Sequence, residues 1–298
     1  MTVTLDRDRL TTAAIDQLDW AGLEWSPWRN LASIAADGER MPADPGIYRL
    51  RHPATDGLLA VVEFDQRSTS LGDQLTALAS AVYGACDART VSPTTAVDTD
   101  LVRHLVRISR QFEPTAFDVS YATPPRADRG RWFRRGLVAA LIAIHRLATD
   151  RWPWPVARAD PSRMVSDRLP PDLRSWRQWD RPRSSEWLGF DWTPPRQLGT
   201  IMDTTVPEAG LFRTWRPAEV EGSLRYVGIG DPQMLHRHRS VDGDDARFSI
   251  TSLNGVTDAS EASSGIWMEL IGAHHLAVGH PPFRQFGPDD ADNPLFDE

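Results

Sequence analysis

The hydrophobic pattern of this chain predicts two similar sets of short strands and helices. Apolar or β-branched runs that follow turn residues predict strands over 46–50, 58–64, 210–214 and 224–227. Apolar positions at three- and four-residue spacing predict helices over 70–83, 135–148, 232–240 and 264–277. A further strand is expected before the last helix of each set. We therefore expect an α/β (α+β) protein with two small, mainly antiparallel sheets, each flanked by helices.

An internal repeat is the strongest feature of the sequence. Residues 20–31 recur as residues 187–198, with six of the twelve positions identical, including two tryptophans, a proline and an arginine. Two later matches follow in the same order and pair 44–50 with 208–214 and 136–147 with 265–276. Three ordered matches over this distance indicate a duplicated domain and not a short-period solenoid.

The repeat also suggests domain boundaries. We expect a first domain over 1–158, which includes its tryptophan-rich lead-in, and a second over 187–287. Residues 159–186 are rich in arginine, proline and tryptophan and are predicted to form a connector. Residues 288–298 contain five acidic and no basic groups and are predicted to be a disordered tail.

Composition excludes several classes of protein. The chain has 298 residues, 41% of them hydrophobic, so it has enough apolar residues to build a core. It has no apolar run of about 18 residues and no signal-like start, so we expect a cytoplasmic protein with no membrane partner. The single cysteine excludes a disulfide framework and a multi-cysteine zinc site.

The charge pattern is compatible with a nucleic-acid partner but does not require one. The net charge is -8, and without the acidic tail the rest of the chain carries -3. All 33 basic residues are arginine, whose guanidinium group binds phosphate in a bidentate manner.

Short motifs on the predicted strands resemble those of a known family. The second copy contains, in order, Gly210-Leu-Phe212, Tyr226-Val-Gly228, Arg237 and Glu269. The first copy contains Gly46-Ile-Tyr48 at the corresponding place. This arrangement resembles the GIY-YIG nuclease superfamily, and the resemblance covers about 20–158 and 187–287. In particular it is similar to tandem GIY-YIG proteins with a tryptophan-rich lead-in before each copy.

The resemblance implies a phosphodiesterase that acts on nucleic acid, DNA before RNA, with Mg²⁺ or Mn²⁺ as its cofactor. By this resemblance Tyr226 lines the site and Arg237 holds the scissile phosphate. Glu269 supplies the protein ligand of the metal ion, which fits the oxygen-rich coordination of magnesium. Gly228 allows close backbone approach. Arg239 and Phe212 are further substrate-binding candidates, and His236 is a further catalytic candidate.

Helical geometry tests Glu269 independently of the family. At about 100° per residue, Glu269 falls in the same arc as Ile266, Ala273 and Leu276. A carboxylate in an apolar arc is costly unless a metal ion, an arginine or hydrogen-bond donors accompany it. The alternatives are therefore a metal ligand, a partner of Arg237, or a side chain that reaches solvent.

The helix before it leaves the phosphate-binding residue open. Arg237 lies about as far after Tyr226 as the family's arginine lies after its second motif. Only this single residue matches the family there. His236 or Arg239 is therefore an alternative equivalent. His236 and His238 are further candidate acids or bases, and a solvated helix face is the alternative interpretation of Arg237 and of both histidines.

Departures from the motif separate the two copies. In the second copy Phe212 replaces the first tyrosine and lacks its hydroxyl. In the first copy Tyr48 is present, but Ala60-Val-Val62 replaces the second motif, Gln74 stands in place of the arginine and Ala140 in place of Glu269. We therefore expect the first copy to be a catalytically inactive pseudo-domain, with any activity in the second.

A different class of function remains open. The alternative is a catalytically inactive module that binds nucleic acid or protein and keeps the fold. Segments 126–135 and 151–186 combine arginines with tryptophans, which suits phosphate contacts and base stacking. Structural packing by these tryptophans is the competing interpretation. His145 and His274 recur at the same repeat position and are expected to be core or capping residues.

Overall fold

The computed structural model describes most of the chain. The described residues are 12–37, 41–42, 44–64, 70–88, 98–112, 116–124, 130–154, 156, 176–203, 210–229, 232–253 and 259–286. Within them the chain forms two four-stranded antiparallel sheets and six α-helices, as the α+β prediction expected. None of these helices combines the length and apolar character needed to cross a membrane.

The chain divides into two compact units. The first unit contains residues 4–129 and 144–165, and the second contains residues 1–3, 130–143 and 166–298. The sequence-based boundaries lay at 158 and 187, and the second unit also takes in 130–143. The expected acidic tail and residues 159–175 of the expected connector lie outside the described residues.

The first unit is built from four strands and the helices around them. Its strands are β1 (Arg29–Asn30), β2 (Gly46–Arg51), β3 (Leu58–Phe64) and β4 (Asp118–Ala122). Its helices are α1 (Leu31–Asp37), α2 (Leu71–Ala88), α3 (Thr99–Ser109) and the end of α4 (Gly130–Thr149). The strand order is β1-β4-β2-β3. Its core joins the inner faces of α2 and α3 to apolar residues of the strands.

The second unit repeats this topology with one helix fewer between its central strands and the last strand. Its strands are β5 (Arg196–Gln197), β6 (Gly210–Trp215), β7 (Tyr226–Ile229) and β8 (Arg247–Ser252), in the order β5-β8-β6-β7. Helix α5 (Pro232–Asp242) corresponds to α2, and α6 (Ala259–Val278) corresponds to α4. Residues 243–246 join α5 directly to β8, with no counterpart of α3. The identical strand order confirms the predicted duplication.

The first half of α4 packs on α6 within the second unit. Gly272 lies so close to the backbone of Ala139 that a Cβ atom there would overlap it. A Cβ atom on Gly136 would lie 2.6 Å from Pro281. Small residues allow two helix backbones to approach this closely, which explains why 130–143 belongs to the second unit.

Hydrogen bonds confirm how the two copies align. Leu58 N–H donates to Nε2 of His145, and Leu224 N–H donates to Nε2 of His274, both at 2.8 Å. Strand register pairs Tyr48 with Val62 and Phe212 with Gly228. The second motif of the second copy therefore corresponds to Ala60-Val-Val62 in the first.

Candidate functional site

The motif strands of the second unit bring Phe212 and Tyr226 together. Side chains alternate between the two faces of a strand, and cross-strand partners share a face. Phe212 pairs with Gly228, and Thr214 pairs with Tyr226. The two aromatic rings stack with centroids 5.8 Å apart and belong to one apolar core. The predicted neighbours are therefore in contact, but as part of that core.

Gly228 makes room for this aromatic pair. A Cβ atom at Gly228 would overlap the ring of Phe212 and would lie 2.7 Å from the ring of Tyr226. The absence of a side chain thus lets Phe212 lie across β7. The predicted role of Gly228 was close approach of a substrate, and the approach visible here is that of Phe212.

Helix α5 covers the aromatic pair with His238. The ring centroid of His238 lies 4.3 Å from that of Tyr226 and 5.8 Å from that of Phe212. His238 is fully buried, three residues after buried Leu235, so both lie on the inner face of the helix. Arg237 is exposed on α5, and His236 is half-buried. The residue of α5 that contacts Tyr226 is therefore His238, whereas Arg237, the predicted phosphate-binding residue, is exposed.

Arg239 has a partner at the surface. Its Nε atom donates a hydrogen bond of 2.6 Å to Oδ1 of Asp244. This hydrogen bond and the attraction between the opposite charges raise the pKa of Arg239 and lower that of Asp244. Arg239 therefore helps hold the turn that follows α5.

Burial changes the acid–base character of Tyr226. The side chain is 4% exposed, and this desolvation raises its pKa to about 12. The phenol is therefore protonated at neutral pH. With Phe212 beside it, this face of the sheet presents one hydroxyl of low acidity.

Glu269 is buried in α6, which excludes the alternative of a side chain that reaches solvent. The residue is 3% exposed, and Oε2 accepts a hydrogen bond of 3.0 Å from the indole Nε1–H of Trp176. Trp176 packs beside Trp179, whose carbonyl accepts a hydrogen bond from the indole of Trp187. The carboxylate is thus joined to the tryptophan-rich lead-in of the second unit. The buried carboxylate is therefore accompanied by a hydrogen-bond donor.

One carboxylate oxygen of Glu269 accepts a hydrogen bond at the position where the resemblance expects a metal ion. The indole hydrogen of Trp176 takes one of the acceptor positions of Oε2. Within the described ranges no three histidine, cysteine, aspartate or glutamate side chains form a group that could hold a metal ion. The Mg²⁺ or Mn²⁺ cofactor stays a prediction from the resemblance.

Each unit encloses one arginine among tryptophans, which the sequence reasoning missed. In the first unit the guanidinium of Arg49 lies 4.2 Å from the ring centroid of Trp25 and donates to the carbonyl of Gln17 at 3.0 Å. In the second unit Arg213 lies 4.3 Å from Trp192 and donates to the carbonyl of Ser184 at 2.8 Å.

The two enclosed arginines remain charged. Burial lowers the pKa of each to about 9, which is still well above neutral pH. Arginine follows the Gly-Ile-Tyr and Gly-Leu-Phe tripeptides in both copies, and this repetition was the available signal. Because these cations pack against tryptophans and carbonyls inside each unit, their role is structural.

The repeated histidines also have the same role in both units. The Nδ1 atom of His145 lies 2.9 Å from the carbonyl of Arg151, and that of His274 lies 3.0 Å from the carbonyl of His280. Since Nε2 accepts a backbone N–H in each case, Nδ1 must carry the proton. The prediction of satisfied core residues is therefore confirmed.

The tryptophans of the two arginine-rich segments pack inside the units. Trp132 donates to the carbonyl of Pro282 at 3.2 Å and stacks on His280. Trp152, Trp154 and Trp176 are buried. These contacts favour the packing interpretation over base stacking for these rings. Residues 126–129 and 157–175 of the two segments lie outside the described residues.

No family model, curated protein or solved structure matches the chain. The relation to the GIY-YIG superfamily therefore stays a prediction carried by the motif residues.

Proposed function

We propose that the protein binds nucleic acid without cleaving it, on a duplicated fold whose former catalytic positions serve packing. The observation that carries this proposal is the contact of Glu269 with Trp176, which engages the carboxylate that hydrolysis would need. Tyr226 is likewise committed to the stack with Phe212 and His238. The first sequence copy has Ala60 and Ala140 at the positions of Tyr226 and Glu269.

Helix α5 supports nucleic-acid binding because its two faces differ. The inner face is buried through Leu235 and His238, whereas Arg237 is exposed on the outer face and His236 is half-buried. Exposed arginines contribute phosphate contacts that hold a protein on a nucleic acid without reading its sequence. We propose DNA as the first partner to test, RNA as the second, and the cytoplasm as the location.

A second candidate function is the metal-dependent phosphodiesterase implied by the resemblance. The observation that favours it is the register of β6 and β7, which places Phe212 and Tyr226 side by side on one sheet face. The two candidates differ in one respect that an experiment can read, namely whether bound nucleic acid is cut.

The test combines binding with cleavage. Fluorescence anisotropy with labelled single- and double-stranded DNA and RNA should show binding that weakens between about 50 and 200 mM salt. Arg237→Gln should weaken binding several-fold and reduce the salt slope by about one, as the loss of one phosphate contact does. Arg103→Gln, which alters an exposed arginine of α3 paired with Asp100, is the matched control and should bind as the wild type does.

The same samples are then incubated with plasmid in Mg²⁺, Mn²⁺ or EDTA. We expect intact plasmid in all three. Cleavage that requires a divalent ion and disappears in Glu269→Gln would overturn the proposal in favour of the phosphodiesterase. Wild-type protein that binds none of the probes would overturn nucleic-acid binding itself.

A further inference from the structure

Three arginines meet at the C-terminal end of α5, one helical turn beyond His238. The side chain of Asp242, the last residue of α5, is fully buried. Nε of Arg225 donates to its Oδ1 at 2.5 Å, and Nε of Arg284 lies 3.2 Å from the same oxygen. Nε of Arg216 donates to the backbone carbonyl of Asp242 at 3.0 Å. We call Arg216, Arg225 and Arg284 the arginine cluster.

An aspartate at this position runs against the helix dipole. The C-terminal end of a helix carries partial negative charge and favours cations. Burial alone would raise the pKa of Asp242, but His238, 3.6 Å away, and Arg225 lower it below its usual value. The buried carboxylate is therefore ionised at neutral pH and organises the guanidinium groups around it.

The cluster keeps a positive surplus after its internal pairs are counted. Arg225 forms a second ion pair of 2.5 Å with Glu219, so three guanidinium groups face two carboxylates. Arg183 and Glu221 border the group and carry opposite charges. The side chain of Arg284 is 26% exposed. Positive charge thus reaches the surface here.

The first unit has apolar residues at two of these positions. Trp154 N–H donates to the carbonyl of Leu59, and Arg284 N–H donates to the carbonyl of Arg225, at 2.9 and 2.7 Å. Leu59 and Trp154 belong to one apolar core with the inner residues of α3. The second unit has no helix between α5 and β8, and guanidinium groups replace the apolar pair.

An exposed aromatic ring adjoins the cluster. Phe283 is 53% exposed, and the guanidinium carbon of Arg225 lies 5.8 Å from its ring centroid. Phe283 N–H donates to the carbonyl of Leu224, which fixes this segment beside β7. A half-exposed aromatic ring next to guanidinium groups is a combination that can bind a base together with its phosphate.

We propose that the arginine cluster and Phe283 form a nucleotide-binding site, in which Arg216 and Arg284 contact a phosphate and Phe283 stacks on the attached base. The inference rests on the proposed nucleic-acid binding and names its site. Arg225 is a positioning residue, held by Asp242 and Glu219. The ligand is a nucleotide unit, either free or within a single strand.

The test compares three probes on the full chain. These are a short fluorescein-labelled oligothymidylate by anisotropy, and AMP and inorganic phosphate by calorimetry. Arg216→Gln and Arg284→Gln should each weaken oligonucleotide binding about tenfold and reduce the salt slope by about one. Phe283→Ala should weaken binding of the oligonucleotide and of AMP about tenfold and leave phosphate binding unchanged.

Matched controls in the first unit are Arg103→Gln and Phe112→Ala, which alter an exposed arginine and an exposed phenylalanine. Circular dichroism melts show whether each variant folds. Phe283 is the safest position because most of its ring is already in solvent.

The outcomes separate the inference from the function on which it rests. If the wild type binds the oligonucleotide and the three site variants bind equally well, the inference is overturned and nucleic-acid binding stands. If AMP binds through these residues but the oligonucleotide does not, the site takes free nucleotide and the proposed function fails. If the wild type binds none of the probes, both fail.

Discussion

The two units have the same strand order and several equivalent buried contacts, but they differ in the side chains at two equivalent positions beside the sheet. In both, one arginine lies among tryptophans, one helix histidine joins two backbone groups, and the strand order is the same. In the first unit Leu59 and Trp154 belong to a core with α3, whereas the second has Arg225 and Arg284 at these positions and no such helix. The contacts that both units share maintain the same backbone. The positions of Leu59 and Trp154 can therefore change from apolar to charged residues without a change of fold.

The lead-in of each unit makes this likeness most visible. The indole of Trp25 donates to the carbonyl of Trp20 at 3.0 Å, and that of Trp192 donates to the carbonyl of Trp187 at 3.1 Å. The tryptophan rings of each pair meet at an interplanar angle of 32°. Identical local geometry in two sequences that share half of these positions indicates a common structural requirement.

The largest expected effect is on the enclosed arginines. Arg49→Met and Arg213→Met should each lower the free energy of unfolding by about 3 kcal/mol, because the carbonyls of the lead-in lose charged donors inside a packed site. Methionine keeps most of the apolar volume between the tryptophans. Urea denaturation followed by circular dichroism measures the loss, with Arg103→Met as an exposed control. If only one of the two variants lost stability, the two enclosed arginines would not have equivalent roles.

The repeated histidines should have the next largest effect. His145→Leu and His274→Leu should each lower the free energy of unfolding by about 2 kcal/mol, since a buried N–H and a buried carbonyl lose their partners. Thermal melts at neutral pH measure this cost. Unequal losses of stability would show that the hydrogen bonds of the histidine contribute more in one unit than in the other.

These histidines also predict the direction of the pH dependence. Burial lowers the pKa of His145 to about 4, and that of His274 falls well below its usual value. The unfolded chain therefore binds more protons, so stability is complete above about pH 6.5 and falls as the pH drops towards 4. Melts between these values should show a shallower decline in His145→Leu and in His274→Leu than in the wild type. If stability declined equally steeply with pH in the wild type and in the variants, these histidines would not be a source of the pH dependence.

The smallest effect concerns one backbone conformation that occurs in both units. Ala21 and Leu188 have φ values of 58° and 57°, in the left-handed region that favours glycine. Leu188→Gly should still destabilise the protein by about 2 kcal/mol, because its buried side chain is lost. Ala21→Gly should stabilise it by about 0.5 kcal/mol, since little side chain is removed and strain is relieved. Thermal melts that show the same sign for both changes would refute this distinction.

Some elements escaped prediction for identifiable reasons. Strands β1 and β5 have two residues each, too few to show a period. Helix α3 had a usable signal, because the side chain of Asp98 accepts hydrogen bonds from the N–H groups of Asp100 and Leu101 at the start of an amphipathic run. The role of His238 could also have been found, since it lies three residues after apolar Leu235.

The sequence by itself determined the duplication, the two central hairpins and the position of Glu269 in the apolar arc of its helix, because each depends on residue identity and periodicity within one segment. Tertiary structure alone decided that Trp176 would meet Glu269 and that Arg225, Asp242 and Arg284 would gather at one helix end. These residues are far apart in the chain, and no local pattern records which side chains a fold brings within hydrogen-bonding distance. A buried charge becomes interpretable only when its partners are known, because those partners determine whether it holds the fold together or is available to a ligand.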